Sequence, residues 1–595
     1  MRREPDYICG RETREWPDVM SRPAVIMKKF LSIVVILFMS VIHLHSQEVD
    51  NILVITGLDE AEQLTEQILE RFEVLASRPL EINLSSVRKL SDSGLFSRYQ
   101  AASIEDYRKA CGDILSVAEL AGVDGIGEEL AQALGPYVAF SSVSLPGSVP
   151  ADRTLQSAVA GASLKNGKSV LRGKYRLSSG FFESGAALKH DGAADGTVYL
   201  QAEGARYLDR LIVGDFNARF GQGMSFWTGM SVTGFGAPST FYKRQHGFTP
   251  AWSYSDMNLR GVAASLSCRR LNFCAFAASP WLRKVFADRP PDRREMLAGG
   301  SLAWFSRYGQ AGVTAVVKTM KWTRLSVDAR FCLGGVELFS EVSAEGGCGQ
   351  ARTVTGALAG MVLPAGKGMF SVVARYYPEG FSGEYSAPVR AWSKASDEAG
   401  AALAFQRGRL SVSCDFAVKP STKSADERKA QVKIVAADVW DLSSSFSVKA
   451  RISQRFRSYG LPNKSDARVD THWENGAFVF NTRMNIVFSR DCGALAYIEP
   501  GWKRENGYMY LRLTAFAADS WDDRVYCYER DIPGNFTVPA YYGRGFGSNL
   551  ICTRKWRLGR SSLKMYLCGG CTVYPWPGHK KPGTYSFRGQ LAYDF

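Results

Sequence analysis

Long apolar runs are what this chain most conspicuously lacks. After residue 50 no stretch of eighteen or more apolar residues occurs, which argues against a membrane-spanning helix, since one needs about 20. Histidine is scarce. The four beyond residue 47, His190, His246, His472 and His579, are too scattered for a metal-site motif. The twelve cysteines supply a single CxxC, Cys568-Gly-Gly-Cys571, without a second pair or a nearby histidine. It reads as small residues near a hairpin rather than a metal or redox pair. No serine or cysteine nucleophile motif is present. Metal, cofactor and catalytic residues are therefore all expected to be absent.

Acidic residues are scarce in one part of the chain only. Residues 48–140 hold 7 Lys and Arg against 17 Asp and Glu, a net of −10, whereas 141–595 hold 59 against 36, a net of +23. An acidic small domain is joined to a basic large one. Disorder is excluded by 46% hydrophobic and 12% aromatic residues in a chain of 595.

One apolar run stands near the start. Met27-Lys28-Lys29 precedes Phe30 to Leu44, broken only by Ser32, Ser40 and His43, and His45-Ser46-Gln47 follows. A basic start, about fifteen apolar residues and a small residue before a polar one make a secretory signal peptide over 27–46. Met27 is the better initiator, so residues 1–26 are expected not to be translated, and the mature chain to begin near Gln47.

Two periodicities follow. Ala61, Leu64, Ile68, Phe72 and Leu75 have helical spacing, which predicts an amphipathic helix over 57–76 ended by Arg78-Pro79. Shorter helical pieces continue to Tyr137, and a Ser-, Pro- and Gly-rich segment reads as a linker over 141–154. From 155 to 595 the period becomes two. Phe478, Phe480, Met484, Ile486 and Phe488 alternate with Asn481, Arg483 and Asn485, and Leu511 and Leu513 flank Arg512. Long strands with one apolar and one cationic face suit a transmembrane barrel, apolar toward lipid and polar toward a wet lumen. A large soluble all-β protein is the alternative. The expected fold is mainly β: a large antiparallel barrel with a small all-α domain at its N-terminus. At roughly 25 residues per strand and connection, about 440 residues give on the order of 16–20 strands. Trp227, Tyr376, Tyr377, Tyr541 and Tyr542 are expected to form an interfacial girdle.

The ending Tyr593-Asp594-Phe595 resembles the C-terminal assembly signal of bacterial outer-membrane barrels, which implies the barrel assembly machinery as a partner. Residues 79–140 resemble the tandem helix-hairpin-helix domain of the competence DNA receptor (ComEA-type) family. The resemblance is carried by Leu80-Glu-Ile-Asn83, Tyr107-Arg108, Gly112, Glu119-Leu120, Val123-Asp-Gly125-Ile126-Gly127 and Leu134-Gly-Pro-Tyr137. It implies that Gly125, Ile126 and Gly127 present backbone amides to a phosphate or a protein partner. Two departures stand out. Leu90-Ser-Asp-Ser-Gly94-Leu95 lacks the Gly-Ile-Gly pattern, and Glu128 and Glu129 follow the second turn where a DNA binder would carry Lys.

The whole chain resembles exported bacterial proteins in which this domain precedes a large barrel. Leu211–Gly223, Tyr528–Pro533 and Tyr542–Gly545 carry that likeness. Within the first stretch Asp215, Asn217 and Arg219 share one strand face and are expected to form a polar cluster in the lumen. The expected location is the outer membrane, with lipid around the barrel and residues 48–140 in the periplasm. Three functions compete: a non-enzymatic role binding a periplasmic protein partner, DNA binding or uptake, and a barrel hydrolase using Asp470, His472 and Glu474 to activate water. The first is favoured.

Overall fold

The computed structural model describes residues 48–142 except 59–60, 65, 78 and 97, and residues 154–595 except for short stretches. Those stretches are 205–206, 230–239, 244–246, 253–256, 269, 284–291, 307, 348–352, 367, 382, 422–428, 505, 560 and 577–582. The expected signal peptide, the segment before it and most of the expected linker lie outside the described residues.

Twenty-four antiparallel strands, from Leu155–Lys165 to Thr584–Asp594, make one closed barrel. Each pairs with its neighbour in sequence, and the last closes on the first from Ser157↔Asp594 to Lys165↔Ser586. Closure leaves no unpaired edge, which is what lipid demands of a sheet. Among the described residues no helix is long and apolar enough to cross a membrane.

The alternation in sequence becomes two faces of a wall. On Phe478–Phe488 the side chains of Phe478, Met484 and Phe488 are exposed, while Arg483, Asn485 and Val487 are buried toward the inside. Leu325 and Val327 likewise point out between Arg324, Ser326 and Asp328, which point in. This is the architecture of an outer-membrane β-barrel.

The expected 16–20 strands is too few. Connections at the rim that carries both barrel termini are tight turns such as 180–181, 334–335, 408–409 and 476–477. Each strand with its connection thus consumes far fewer than the ~25 residues assumed. Long connections, 221–258, 279–296, 378–397 and 519–542, are confined to the opposite rim. The expected girdle is also corrected. Tyr376 faces outward, but Trp227, Tyr377 and Tyr541 are buried under inward-folded loops. Exposed aromatics instead ring the short-turn rim: Phe181, Tyr207, Trp304, Tyr308, Trp440 and Trp473.

Ahead of the barrel lies a small helical body. Glu48–Thr56 ends at Gly57, whose φ of 69° only glycine adopts without strain. Glu66–Ser77 follows a short 3-10 turn at Ala61–Gln63, so the single helix expected over 57–76 is two pieces. Its apolar stripe still packs as the spacing requires, with Leu64 and Phe72 buried and Phe72 edge-on to Tyr137 at 4.9 Å. Val87–Asp92 and Arg98–Cys111, then Val117–Ala121 and Gly127–Leu134, form two helical hairpins. Ser86 and Ser116 cap the first helix of each by accepting from Lys89 and Glu119 amides.

Asn83 ties the two hairpins together. Its side-chain oxygen accepts from the Ile114 N–H at 2.9 Å, and its amide donates to the Ile114 carbonyl at 2.8 Å and the Ser141 carbonyl at 3.1 Å. Asn83→Ala orphans both buried groups of Ile114, each at a cost of about 1–3 kcal/mol. Amide hydrogen exchange in Arg98–Cys111 and Val117–Ala121 should accelerate by at least about tenfold. Unchanged exchange there contradicts the role given to Asn83.

Candidate functional site

The helical body is seated inside the barrel. Glu129, in its last helix, reaches Arg409 at 3.6 Å in a short-turn connection. Much deeper, Glu62 meets Arg483 and Arg468, which stand midway along neighbouring strands Phe478–Phe488 and Lys464–Asn475. The body therefore enters from the short-turn rim, with the 3-10 turn Ala61–Gln63 as its leading tip.

The contacts at that tip are specific. Arg483 Nη1 donates to Glu62 Oε1, the Tyr528 N–H donates to the same oxygen at 3.0 Å, and Arg468 Nη1 lies 3.6 Å from Oε2. Asp470 holds both guanidiniums in place, at 2.9 Å from Arg468 Nε and 2.5 Å from Arg483 Nε. Burial alone would push the Glu62 carboxyl up. Arg483 and Arg468 outweigh it and, with the Tyr528 amide, hold the carboxyl far below its ordinary value of 4.5.

Tyr528 belongs to connection 519–542, which folds into the lumen from the far rim. Its Phe536 packs against the core of the helical body. Arg530 donates to Glu499 at 2.9 Å, and Asp531 pairs with Arg588 at 2.6 Å and accepts from Asn535 at 2.8 Å. Tyr528–Pro533, singled out in the sequence, is the inner anchor of this loop. Between helical body and wall a cavity of about 510 Å³ remains.

Another part of the lumen is filled by connections 221–258 and 378–397. Phe226 and Phe248 pack on the inward Phe276 at ring distances of 5.1 and 5.9 Å. Glu341, on an inner strand face, accepts from the Gln222, Met224 and Ser225 amides at 2.6, 3.0 and 2.7 Å. Trp322 Nε1 donates to Glu384 at 3.0 Å.

The residues singled out by sequence divide among these places. Gly125 and Gly127 take φ of 78° and 73°, as the hairpin turn requires. The Tyr99 ring lies under Gly125, 2.7 Å from where a Cβ would stand, and Ile126 is buried in the helical core. Asp215, Asn217 and Arg219 bind different partners: Asn217 accepts from the Thr228 hydroxyl at 3.2 Å and Arg219 donates to the Thr228 carbonyl at 3.3 Å, both in the inward-folded connection 221–258. Ile212, Phe216 and Phe220 take the lumenal face of that strand, packing with Tyr199, Phe276 and Trp322. Asp215 lies on the other face near the long-loop rim, fully buried, bound by Arg260 at 2.7 Å and by Val198 N–H at 2.7 Å.

Tyr593 and Phe595 sit edge-on at 4.4 Å on the closing strand, where the Phe595 N–H reaches the Gln156 carbonyl at 2.9 Å. Of the residues considered for water activation, Asp470 is committed to the two arginines, while His472 pairs through Nδ1 with Asn481 at 2.8 Å and stands with Nε2 3.6 Å from Glu474. Cys568 and Cys571 are free thiols, and no metal-binding cluster occurs among the described residues. Glu62 and Tyr528 were missed as partners; their only sequence signal was an acidic domain beside a basic lumen.

No family model and no curated protein matches the chain. Among solved structures it is similar to the translocation pore of the P pilus usher PapC, with a TM-score of 0.36 and 10% identity over 74% of this chain and 99% of that one. The siderophore receptor PirA of Pseudomonas aeruginosa gives 0.34 and 8% over 75% and 81%. The outer membrane protein OprD of the same organism gives 0.27 and 8% over 74% and 93%. The fold assignment rests on the strand pairings themselves.

Proposed function

We propose that the chain is a non-enzymatic outer-membrane conduit held shut by its own N-terminal domain, which binds the barrel lumen from the periplasmic side. The observation that carries this reading is Glu62, buried midway down the barrel between Arg483, Arg468 and the Tyr528 amide. Short turns and both barrel termini on one rim support a periplasmic origin for the domain, because outer-membrane barrels keep short turns on that side. The −10 of residues 48–140 against the +23 of the rest supports the seating electrostatically.

Binding is thus the domain's role, and its first partner is its own barrel. Its surface outside the lumen is where a periplasmic protein partner would engage. Outer-membrane lipid covers the apolar wall, and the assembly machinery would read Tyr593 and Phe595. DNA is the lesser alternative. Non-specific affinity comes from cations neutralising phosphates, and here Glu128 and Glu129 follow the Gly125-Ile126-Gly127 turn, Glu129 already facing Arg409.

Planar-bilayer recording tests the reading. Full-length protein is expected to be silent, and protein lacking residues 48–142 to show stable conductance steps. Equal conductance with and without the domain would sink the proposal.

A further inference from the structure

On the wall of the cavity left around the domain tip, cations outnumber carboxylates. Arg409, Lys449, Arg468, Arg483, Arg512 and Arg530 line it. Among the described residues three carboxylates, of Glu129, Asp470 and Glu499, do so too. Neutral donors complete the lining at Asn481, Thr471 and Thr482, with the Tyr497 ring beside them. An adjoining chamber of about 260 Å³ brings in Glu474 and shares His472 with the first. Such a wall favours anions.

Glu62 shows what chemistry fits. Its Oε1 is fully engaged, by Arg483 and the Tyr528 amide. Its Oε2 is buried without a hydrogen bond, with Arg468 at 3.6 Å. The resident carboxylate therefore satisfies half of a site built for two oxygens. Guanidinium forks bind carboxylate and phosphate in the same bidentate way, so a freely oriented oxyanion can use both arginines more fully than the tethered Glu62 does.

We propose that this cavity is a receptor for small multivalent oxyanions, solutes bearing carboxylate or phosphate groups, and that they compete with Glu62 for Arg483 and Arg468. Binding there loosens the seated domain, which makes the solute the signal for opening. This deepens the reading of the domain as a lumen stopper and rests on it.

Isothermal titration calorimetry on full-length, detergent-solubilised protein tests the inference, with citrate and pyrophosphate as probes and glucose as the neutral control. Ionic strength is held fixed with chloride. Both anions should bind at millimolar concentration or below, and glucose should not; the stronger of the two identifies carboxylate or phosphate as the preferred group. Glu62→Gln removes the competing charge and should tighten binding at least tenfold. Arg483→Gln and Lys449→Gln, the latter directly opposite Asp470 on the neighbouring strand, should each weaken it at least tenfold. Heat-modifiable migration checks that each variant is a folded barrel. Equal affinity of wild type and Glu62→Gln, or no binding of either anion, overturns the inference. The bilayer test above separates the two ideas. If removal of 48–142 opens the pore and calorimetry detects no anion, only the receptor falls. If removal leaves the pore silent, the stopper falls.

Discussion

Replacing Glu62 with Lys is expected to unseat the helical domain and turn a silent pore into a conducting one. The substitution brings a third cation against Arg483 and Arg468, in a place where Glu62 is 10% exposed. Breaking a buried pair by removing one partner typically costs about 3–5 kcal/mol, and each 1.4 kcal/mol is tenfold in the equilibrium. Seating should therefore weaken by at least about a hundredfold. Hydrogen exchange in Glu48–Thr56 and Glu66–Ser77 and the open probability in planar bilayers report it independently. Glu62→Gln keeps an acceptor for the Tyr528 amide and should have the smaller effect of the two.

The pH dependence follows from the same contacts. A carboxyl held far below its ordinary 4.5 in the seated state gives its full stabilisation above that value and loses it progressively as pH falls below it. Closure should be flat from pH 5 to 8. A Glu62→Lys channel as silent as wild type contradicts the assigned latch.

Much of the wall was legible in the sequence, because lipid enforces a strict rule. Phe478, Met484 and Phe488 stand outside and Arg483 inside, as a period of two required. Strand number was not legible. Hairpins as tight as Asn475-Gly476-Ala477-Phe478 carry little signal apart from one glycine, here at φ 59°, so short connections were read as longer ones. The helical core was also legible from spacing, whereas the part played by Asn83 was not.

The site was legible only as composition. Charge division between 48–140 and the barrel was legible, but a pairing of Glu62 with Arg483 joins residues far apart in sequence, and no local pattern encodes it. Aromatics misled for a related reason. Trp227, Tyr377 and Tyr541 look like girdle residues at strand ends, yet inward-folded loops can bury an aromatic there as well as lipid headgroups can. Asp215 shows the limit of parity. Alternation puts Asp215 opposite Phe216, and only the packing of Phe216 with Phe248 and Phe276 decides which of them faces inward.

Glu341→Ala is expected to release the second inward loop. Glu341 is wholly buried and takes three backbone donors, from Gln222, Met224 and Ser225. Gly221 lets the chain pass: its φ is 59°, and a Cβ there would stand 2.7 Å from the Glu341 carboxylate. The segment so held binds the next loop in turn, since the Trp227 N–H donates to the Tyr385 carbonyl at 2.8 Å and the Ala387 N–H to the Gly223 carbonyl at 2.8 Å. Removing the carboxylate orphans three amides at about 1–2 kcal/mol each, or roughly two to four orders of magnitude in local opening. Hydrogen exchange at 222–228 should rise by that factor and exchange at 384–389 by a smaller one. Exchange in the helical domain should stay as it is, because its contacts run through Glu62 and Tyr528 instead. In protein already lacking 48–142, the same substitution should raise single-channel conductance, since connection 221–258 is what occupies that part of the lumen. Wild-type exchange rates at 222–228 in the variant would show that Glu341 does not anchor the loop.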